Sequence, residues 1–368
     1  MPTAKVTILD VAAHAGVVPS TVSRVVNGYP DVSAKTRARV LQAIDTLSYK
    51  PNRAARAFRT GRTQTVSVIF PMVGTDFYNR LINSIDRELA QYDYDAALFP
   101  LFSQRRLDRY RDPDALPYHA DGLLMSSLDP ANLFHNGNGA IPADLPTVLI
   151  DIHHPDHDTV TVDNVQGGYL AGQHLAERPA ETFAVMIEEH FDTPFASGVF
   201  RDRCQGFKRA LDEAGQAIAD ENVLIVDFNW EGGRAAVREI RKRCQGPVNI
   251  FAGCDLLAQG IIDEFSHSRL AIGKEIRLIG FDDQPWTEKY GLSTIKQPIE
   301  ALGSFAVDLL LKRMHDRTRA PIHHVFPPSL VVRRSSAFLS ARYGRSPIER
   351  AEETLNYNRK DIRDEACA

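Results

Sequence analysis

The chain has 368 residues, 43% of them hydrophobic and 24% charged, with a formal net charge of −4. That length allows two or three domains, and that apolar share supplies a sizeable core rather than a disordered tail. No charged-then-apolar leader precedes the first helix and no run of about 18 apolar residues occurs, so neither secretion nor membrane insertion is expected and the expected location is cytoplasmic. Cys204, Cys244, Cys254 and Cys367 form no C-x-x-C pair, which suits free thiols in a reducing compartment.

Residues 7–28, TILDVAAHAGVVPSTVSRVVNG, predict two short helices joined by a glycine turn. Thr7 stands at an N-cap position with Asp10 three residues on, and the first helix ends at Gly16. The second starts near Pro19, which the first turn tolerates, and stops at Asn27-Gly28. Ala12, Val17, Val22 and Val26 give a small apolar face, leaving Pro19, Ser20, Thr21, Ser23 and Arg24 outward. A small polar face with one arginine suits a DNA groove, where Arg24 can grip a guanine edge and Ser20 or Thr21 a base edge or phosphate.

A third helix follows the cap Ser33, with Val40, Leu41, Ile44 and Leu47 expected to close a three-helix core over residues 1–50. Residues 51–63 then carry regularly spaced arginines. The first 62 residues hold ten Lys or Arg against three Asp, whereas the rest of the chain is acidic. A basic head on an acidic body is the footprint of a nucleic-acid-binding module attached to something else.

TILDVAAHAGV, PSTVSRVVNG, VSAKTRARVL and YKPNRAARAFRTGRT resemble, in order and spacing, the headpiece of LacI/GalR-type bacterial transcriptional regulators. The resemblance implies that Pro19, Ser20 and Arg24 read bases, and that Thr7, Thr21, Asn27, Ser33, Thr36 and Asn52 contact or support the DNA backbone. It further implies a hinge helix entering the minor groove through Arg53, Ala55, Arg56 and Phe58. Phe58 stands where the family has the Leu wedge that unstacks a base step. Val18 replaces the usual Ser, removing a hydroxyl that would cap the second helix.

From Thr65 the pattern changes to short apolar strands alternating with helical stretches, the mark of parallel α/β layers. TVSVIF, YDAALFP, DGLLMSS and PTVLID read as strands of one unit, and ETFAVMI, ENVLIVDF, NIFAG and IRLIGF as strands of a second. The expected fold is therefore an all-α helix-turn-helix headpiece plus a bilobed core of two doubly wound parallel sheets, resembling the family's periplasmic-binding-protein-like core. The core is expected over 64–338, its first lobe at about 64–163 and 294–325 and its second at about 164–293 and 326–338.

In such a core the ligand sits beyond the carboxyl ends of the strands. Pro71 to Tyr78 brings Asp76 and Phe77 there, with Phe77 able to stack on a sugar. Arg203-Cys204-Gln205-Gly206-Phe207 is similar to the family's R-x-x-G-F motif, and Asp282 in GFDD to its ligand-binding aspartate. Asp151, Trp230 and Asp255 stand at matching positions, and Cys254 replaces a common Asn. The resemblance implies a homodimer on a pseudo-palindromic operator, with the helix around 79–91 in the interface, released by a mono- or oligosaccharide. A corepressor such as a nucleobase is the alternative effector.

A sugar-binding protein or enzyme with an incidental basic arm is the reading from another class. Against an enzyme, no G-x-S-x-G, Walker loop or G-x-G-x-x-G occurs, and no cofactor is expected. His153, His154 and His157 read as a solvated loop rather than a metal site. Residues 339–368 form a charged extension with Ile348, Leu355 and Ile362 at seven-residue spacing, compatible with a helix, a tail or a tetramerisation element.

Overall fold

The computed structural model describes residues 6–49, 62–72, 74–101, 105, 108, 120–133, 141, 145–189, 195, 197–266 and 270–337. The hinge positions Asn52, Arg53, Ala55, Arg56 and Phe58, Cys367 and the extension 339–368 lie outside them.

The headpiece is three helices, α1 (Ile8–Ala15), α2 (Pro19–Val26) and α3 (Ala34–Thr46). Thr7 and Asp10 form a reciprocal capping box, and Gly16 closes α1 in the left-handed conformation that glycine adopts at least cost. Ser33 caps α3 by accepting from Thr36 N. The core is Val11, Ala12, Ala15, Val22, Val25, Val40 and Ala43. Leu41, expected inside, is instead 52% exposed; Val40 and Ala43 take the inward positions, and Ile44 and Leu47 pack half-buried at the margin.

The first lobe contains β1 (Thr65–Phe70), α4 (Asp76–Ala90), β2 (Asp95–Pro100), β3 (Gly122–Ser126), α5 (Pro130–Leu133), β4 (Thr147–Ile150) and β5 (Asp158–Val162). The second contains α6 (Asn164–Ala176), β6 (Glu181–Ile187), α7 (Val199–Glu213), β7 (Val223–Val226), α8 (Trp230–Arg243), β8 (Val248–Ala252), α9 (Asp255–Ser266), β9 (Ile276–Asp282), α10 (Thr287–Tyr290) and β10 (Ser293–Lys296). The chain returns to the first lobe for α11 (Ile299–His315) and β11 (His323–Phe326), and ends in the second with β12 (Ser329–Val331).

The two six-stranded sheets have the orders β11-β5-β4-β3-β1-β2 and β12-β10-β9-β8-β6-β7. All pairings are parallel except β12 against β10. The boundary expected near 294 falls inside β10, which pairs with β9; the crossing comes after Lys296, at Gln297-Pro298. The other crossings lie at Asp163 and at Pro327-Pro328.

Asp158, fully buried at the start of β5, anchors the last first-lobe segment. Its carboxylate accepts from Arg313 Nε at 2.8 Å, from Arg319 Nη1 and Nη2 at 2.7 and 2.6 Å, and from Ile322 N at 2.7 Å. Burial raises its pKa, but those bonds outweigh burial and hold it below the usual carboxylate range. Among the described residues no helix is long and apolar enough to cross a membrane.

Candidate functional site: the interlobe cleft and the headpiece face

Side chains from both lobes line one cavity of about 970 Å³ beyond the carboxyl ends of the strands. The first lobe contributes Asp76, Phe77 and Tyr78 from the start of α4, with Ser127 and Asp151 after β3 and β4; the second contributes Glu189, Arg203, Cys254, Asp282 and Gln284. Ser127, Asp151, Asp282 and Asp283 have positive φ angles of 52°, 62°, 122° and 52°. Such non-glycine conformations cost on the order of 1–3 kcal/mol each and cluster where function needs a side chain aimed. Here they turn Ser127, Asp151 and Asp282 off their strands at the cleft.

Arg203 is 4% exposed and rigidly held. Its Nε donates to Asn164 Oδ1 at 2.8 Å and Nη1 to the Gly253 carbonyl at 2.7 Å, Nη1 lies 3.9 Å from Asp282 Oδ1, and the guanidinium stacks 3.7 Å from the Phe281 ring centroid. The glycine three residues on makes this placement possible. A Cβ on Gly206 would lie 1.8 Å from the Val165 carbonyl oxygen, so α7 reaches α6 only because that atom is absent. Gln297, buried in the lobe crossing, donates to Asp282 Oδ1 at 2.6 Å.

Electrostatically the cleft crowds carboxyls. Burial pushes Asp151 up to about 6, against the opposing pull of Arg203 and of the Ser127 hydroxyl, which donates to it at 3.1 Å. Burial likewise raises Asp282, again opposed by Arg203, and keeps the Cys254 thiol neutral. Asp151 Oδ1 and Gln284 Oε1 are buried without a hydrogen-bond partner. Glu189 caps α7, accepting from Gly198 N at 2.8 Å and Arg201 N at 2.9 Å.

The structure thus brings Asp76, Phe77, Asp151, Arg203, Cys254 and Asp282 together and leaves two expected residues out. Trp230 opens α8 at the surface, 38% exposed, with Arg234 over its ring; Phe228, two residues earlier, lines the cleft instead. Asp255 is fully buried behind the wall, accepting from Gln284 N at 2.9 Å and Thr294 Oγ1 at 2.8 Å, so it orients the loop that carries Gln284. Gln284 and Trp286 line the cavity and were not expected; the FDDQPW run across the end of β9 was their signal. His154 and His157 pack with ring centroids 4.7 Å apart, and among the described residues no group of three or more His, Cys, Asp or Glu is placed to hold a metal.

The two lobes are also joined by Arg80 on α4. It donates from Nη1 to the Asp283 carbonyl of the second lobe at 3.0 Å while Nε and Nη2 grip Glu300 at 2.7 and 2.9 Å.

On the headpiece, Pro19, Ser20 and Arg24 are exposed along α2, with Thr21 and Ser23 half-buried beside them. Val18 makes no side-chain cap. Arg24 Nη1 pairs with Asp31 at 2.6 Å. Asn27 donates to the Ser23 carbonyl at 2.6 Å, and the Ser33 hydroxyl donates to that of Thr36 at 2.9 Å. Thr7, Thr21, Asn27, Ser33 and Thr36 therefore lie at helix ends or along α2, with Ser33 and Thr36 bonded to each other.

Residues 7–52 match the family of bacterial regulatory proteins, lacI family, and residues 172–336 match the periplasmic binding protein-like domain. The chain is 32% identical over 337 residues to the HTH-type transcriptional repressor PurR of Photorhabdus laumondii, covering 89% of this chain and 96% of that protein. It is similar to a solved complex of the transcriptional regulator CelR with cellobiose, at 28% identity and TM-score 0.64, covering 90% of this chain and all of that one. The lac repressor dimer bound to operator and an anti-inducer shares the fold, with TM-score 0.79 at 24% identity over 90% of this chain and 99% of that one. With a helix-turn-helix head and a two-sheet parallel core, the chain belongs to the LacI family and is a DNA-binding transcriptional regulator, not an enzyme.

Proposed function

We propose that the protein is a repressor that holds a pseudo-palindromic operator as a homodimer and releases it when a small sugar enters the cleft. The observation that carries this reading is that polar side chains of both lobes face one cavity whose lining includes the aromatic rings of Phe77 and Trp286. Aromatic faces suit the apolar face of a sugar ring, and the hydroxyls find acceptors in Asp151, Asp282 and Gln284. The cellobiose bound by a relative of 28% identity supports a carbohydrate. A ligand that binds one lobe arrangement better shifts the population toward it, and Gln297 joins the ligand carboxylate Asp282 to a crossing through which such a change passes.

In the headpiece Arg24, Ser20 and Pro19 are assigned to base reading, and Thr7, Thr21, Asn27, Ser33, Thr36 and Asn52 to the backbone. Arg53, Ala55, Arg56 and Phe58 are assigned to the minor groove. Support for the dimer comes from a groove beside α4 lined by Phe70, Ile82, Leu98 and Pro100, with Leu98 45% exposed on the edge strand β2.

Salt-dependent binding to duplexes selected from a random pool tests the DNA reading, and the same binding with sugars or hypoxanthine added tests the sign. Release by a sugar supports induction; tightening by the nucleobase overturns it in favour of a corepressor.

A further inference from the structure

We propose that the cleft takes a non-anionic ligand that donates hydrogen bonds to both Asp151 Oδ1 and Gln284 Oε1, and rejects the phosphorylated or carboxylated form of that molecule. This rests on the reading of the cleft as the effector site and adds the ligand's charge class and its bridging contacts.

The first support is a pair of orphaned acceptors. Asp151 and Gln284 are 6% and 5% exposed, both line the cavity, and Asp151 Oδ1 and Gln284 Oε1 have no partner. A buried acceptor left unpaired loses its hydration without return, so a ligand O–H or N–H that reaches it is favoured by more than an exposed bond would be. One acceptor follows β4 in the first lobe and the other follows β9 in the second, so one molecule satisfying both ties the lobes together.

The second support is the disposition of charge. Asp76, Asp151, Glu189 and Asp282 line the cavity with the cations Arg203 and Lys289. Arg203 already bonds Asn164 through Nε and the Gly253 carbonyl through Nη1, and its charge lies 3.9 Å from Asp282. The N-terminus of α7 opens on the same cavity, and helix N-termini commonly hold phosphates or carboxylates. Here Glu189 occupies it, bonded to Gly198 N and Arg201 N, so the chain's own carboxylate fills the place an anionic ligand would use. A further anion would face buried carboxyls that outnumber the lining cations, one of which, Lys289, is exposed to solvent, and such crowding of like charge is costly at low dielectric.

The test is a thermal-shift panel on the full-length wild-type protein at pH 7.5. It pairs ribose with ribose 5-phosphate, glucose with glucose 6-phosphate and glucuronate, and cellobiose with cellobionate, and includes hypoxanthine. A ligand that binds only the folded state raises the melting temperature. The expected result is a shift with one neutral member that its anionic partner fails to give, and at least tenfold weaker binding of that member to Gln284→Leu by calorimetry. An anionic member that shifts the melting temperature as much as its neutral parent overturns the proposal and leaves the sugar reading standing. A panel in which only hypoxanthine shifts overturns the sugar reading and keeps the charge class. A panel with no shift overturns both. If Gln284→Leu fails to fold, Gln284→Met gives the same readout: it keeps the length of the side chain, removes the oxygen acceptor, and is expected to gain less in melting temperature from the neutral ligand than wild type does.

Discussion

Gln297, in the crossing between the lobes, donates from Nε2 to Asp282 Oδ1 at 2.6 Å. The same carboxylate lies 3.9 Å from Arg203 and lines the interlobe cavity. The crossing and the cleft therefore share one acidic group, so repositioning Asp282 on a ligand moves the donor held in the crossing.

Replacing Gln297 by Leu removes a donor from a buried, raised carboxyl and is expected to cost about 1.5–3 kcal/mol, the range for bonds to charged groups. Urea melts at pH 7.5 measure it. A loss below the error of the extrapolation means that the bond does not hold Asp282.

Gly206 tests the packing that aims Arg203. Its absent side chain lets α7 lie against the Val165 carbonyl, so Gly206→Ala forces the helices apart and is expected to cost about 3 kcal/mol or more. Gly246, where a Cβ meets nothing within 4 Å, is the control, and Gly246→Ala is expected to change stability by less than about 0.5 kcal/mol. Equal melting curves for the two variants contradict this account of the helix contact.

Asp151 carries one part of the pH dependence of the cleft, beside Asp282, whose carboxyl burial also raises. Its folded pKa is raised by burial from 3.8 to about 6. The protonated carboxyl is the form that folding favours, so its contribution is fully present below about 3.8 and is lost as pH rises toward 6. The loss is about 3 kcal/mol. Asp151→Asn is expected to reduce the slope of the stability profile between those values and to melt higher than wild type at pH 7. An unchanged profile assigns the pH dependence elsewhere.

Arg24 on α2 is paired with Asp31 at 2.6 Å, and both side chains are about half exposed. Such a pair is worth little to stability, but its carboxylate sits beside the arginine expected to meet DNA. Asp31→Asn is expected to leave the melting temperature unchanged and to raise affinity for random duplex a few-fold, through the loss of one negative charge near phosphate. Filter binding across a salt series reads this out, and an affinity that falls contradicts the placement of α2 against DNA.

The fold was legible where periodicity was strong. TVSVIF and ETFAVMI are strands over the expected residues because each is a buried apolar run in a parallel sheet. DTVTV was not expected as β5, since three of its five residues are polar; Asp158 is tolerated inside only because Arg313 and Arg319 meet it from segments about 155 and 161 residues away. β10 was placed in the wrong lobe because a crossing leaves no local signal beyond Gln297-Pro298, and Leu41 was misplaced by a one-position error in helical phase.

At the site, Arg203, Asp282, Asp151 and Phe77 were readable from motif and strand-end position. Trp230 and Asp255 were not separable from cleft residues by sequence, because facing a cavity or turning behind its wall depends on the loop backbone. Gln284 was missed although the FDDQPW run marked its loop, because whether its amide oxygen is paired depends on three-dimensional placement.

The most direct test of the central claim is fluorescence anisotropy of a labelled operator duplex, selected from a random pool, with wild type and Arg203→Ala. It is titrated with the neutral sugar that raises the wild-type melting temperature. The account predicts that both proteins bind the duplex, that the sugar releases wild type, and that Arg203→Ala stays bound at concentrations at least tenfold higher. Release of both proteins at the same sugar concentration, or tighter binding of wild type in its presence, contradicts it.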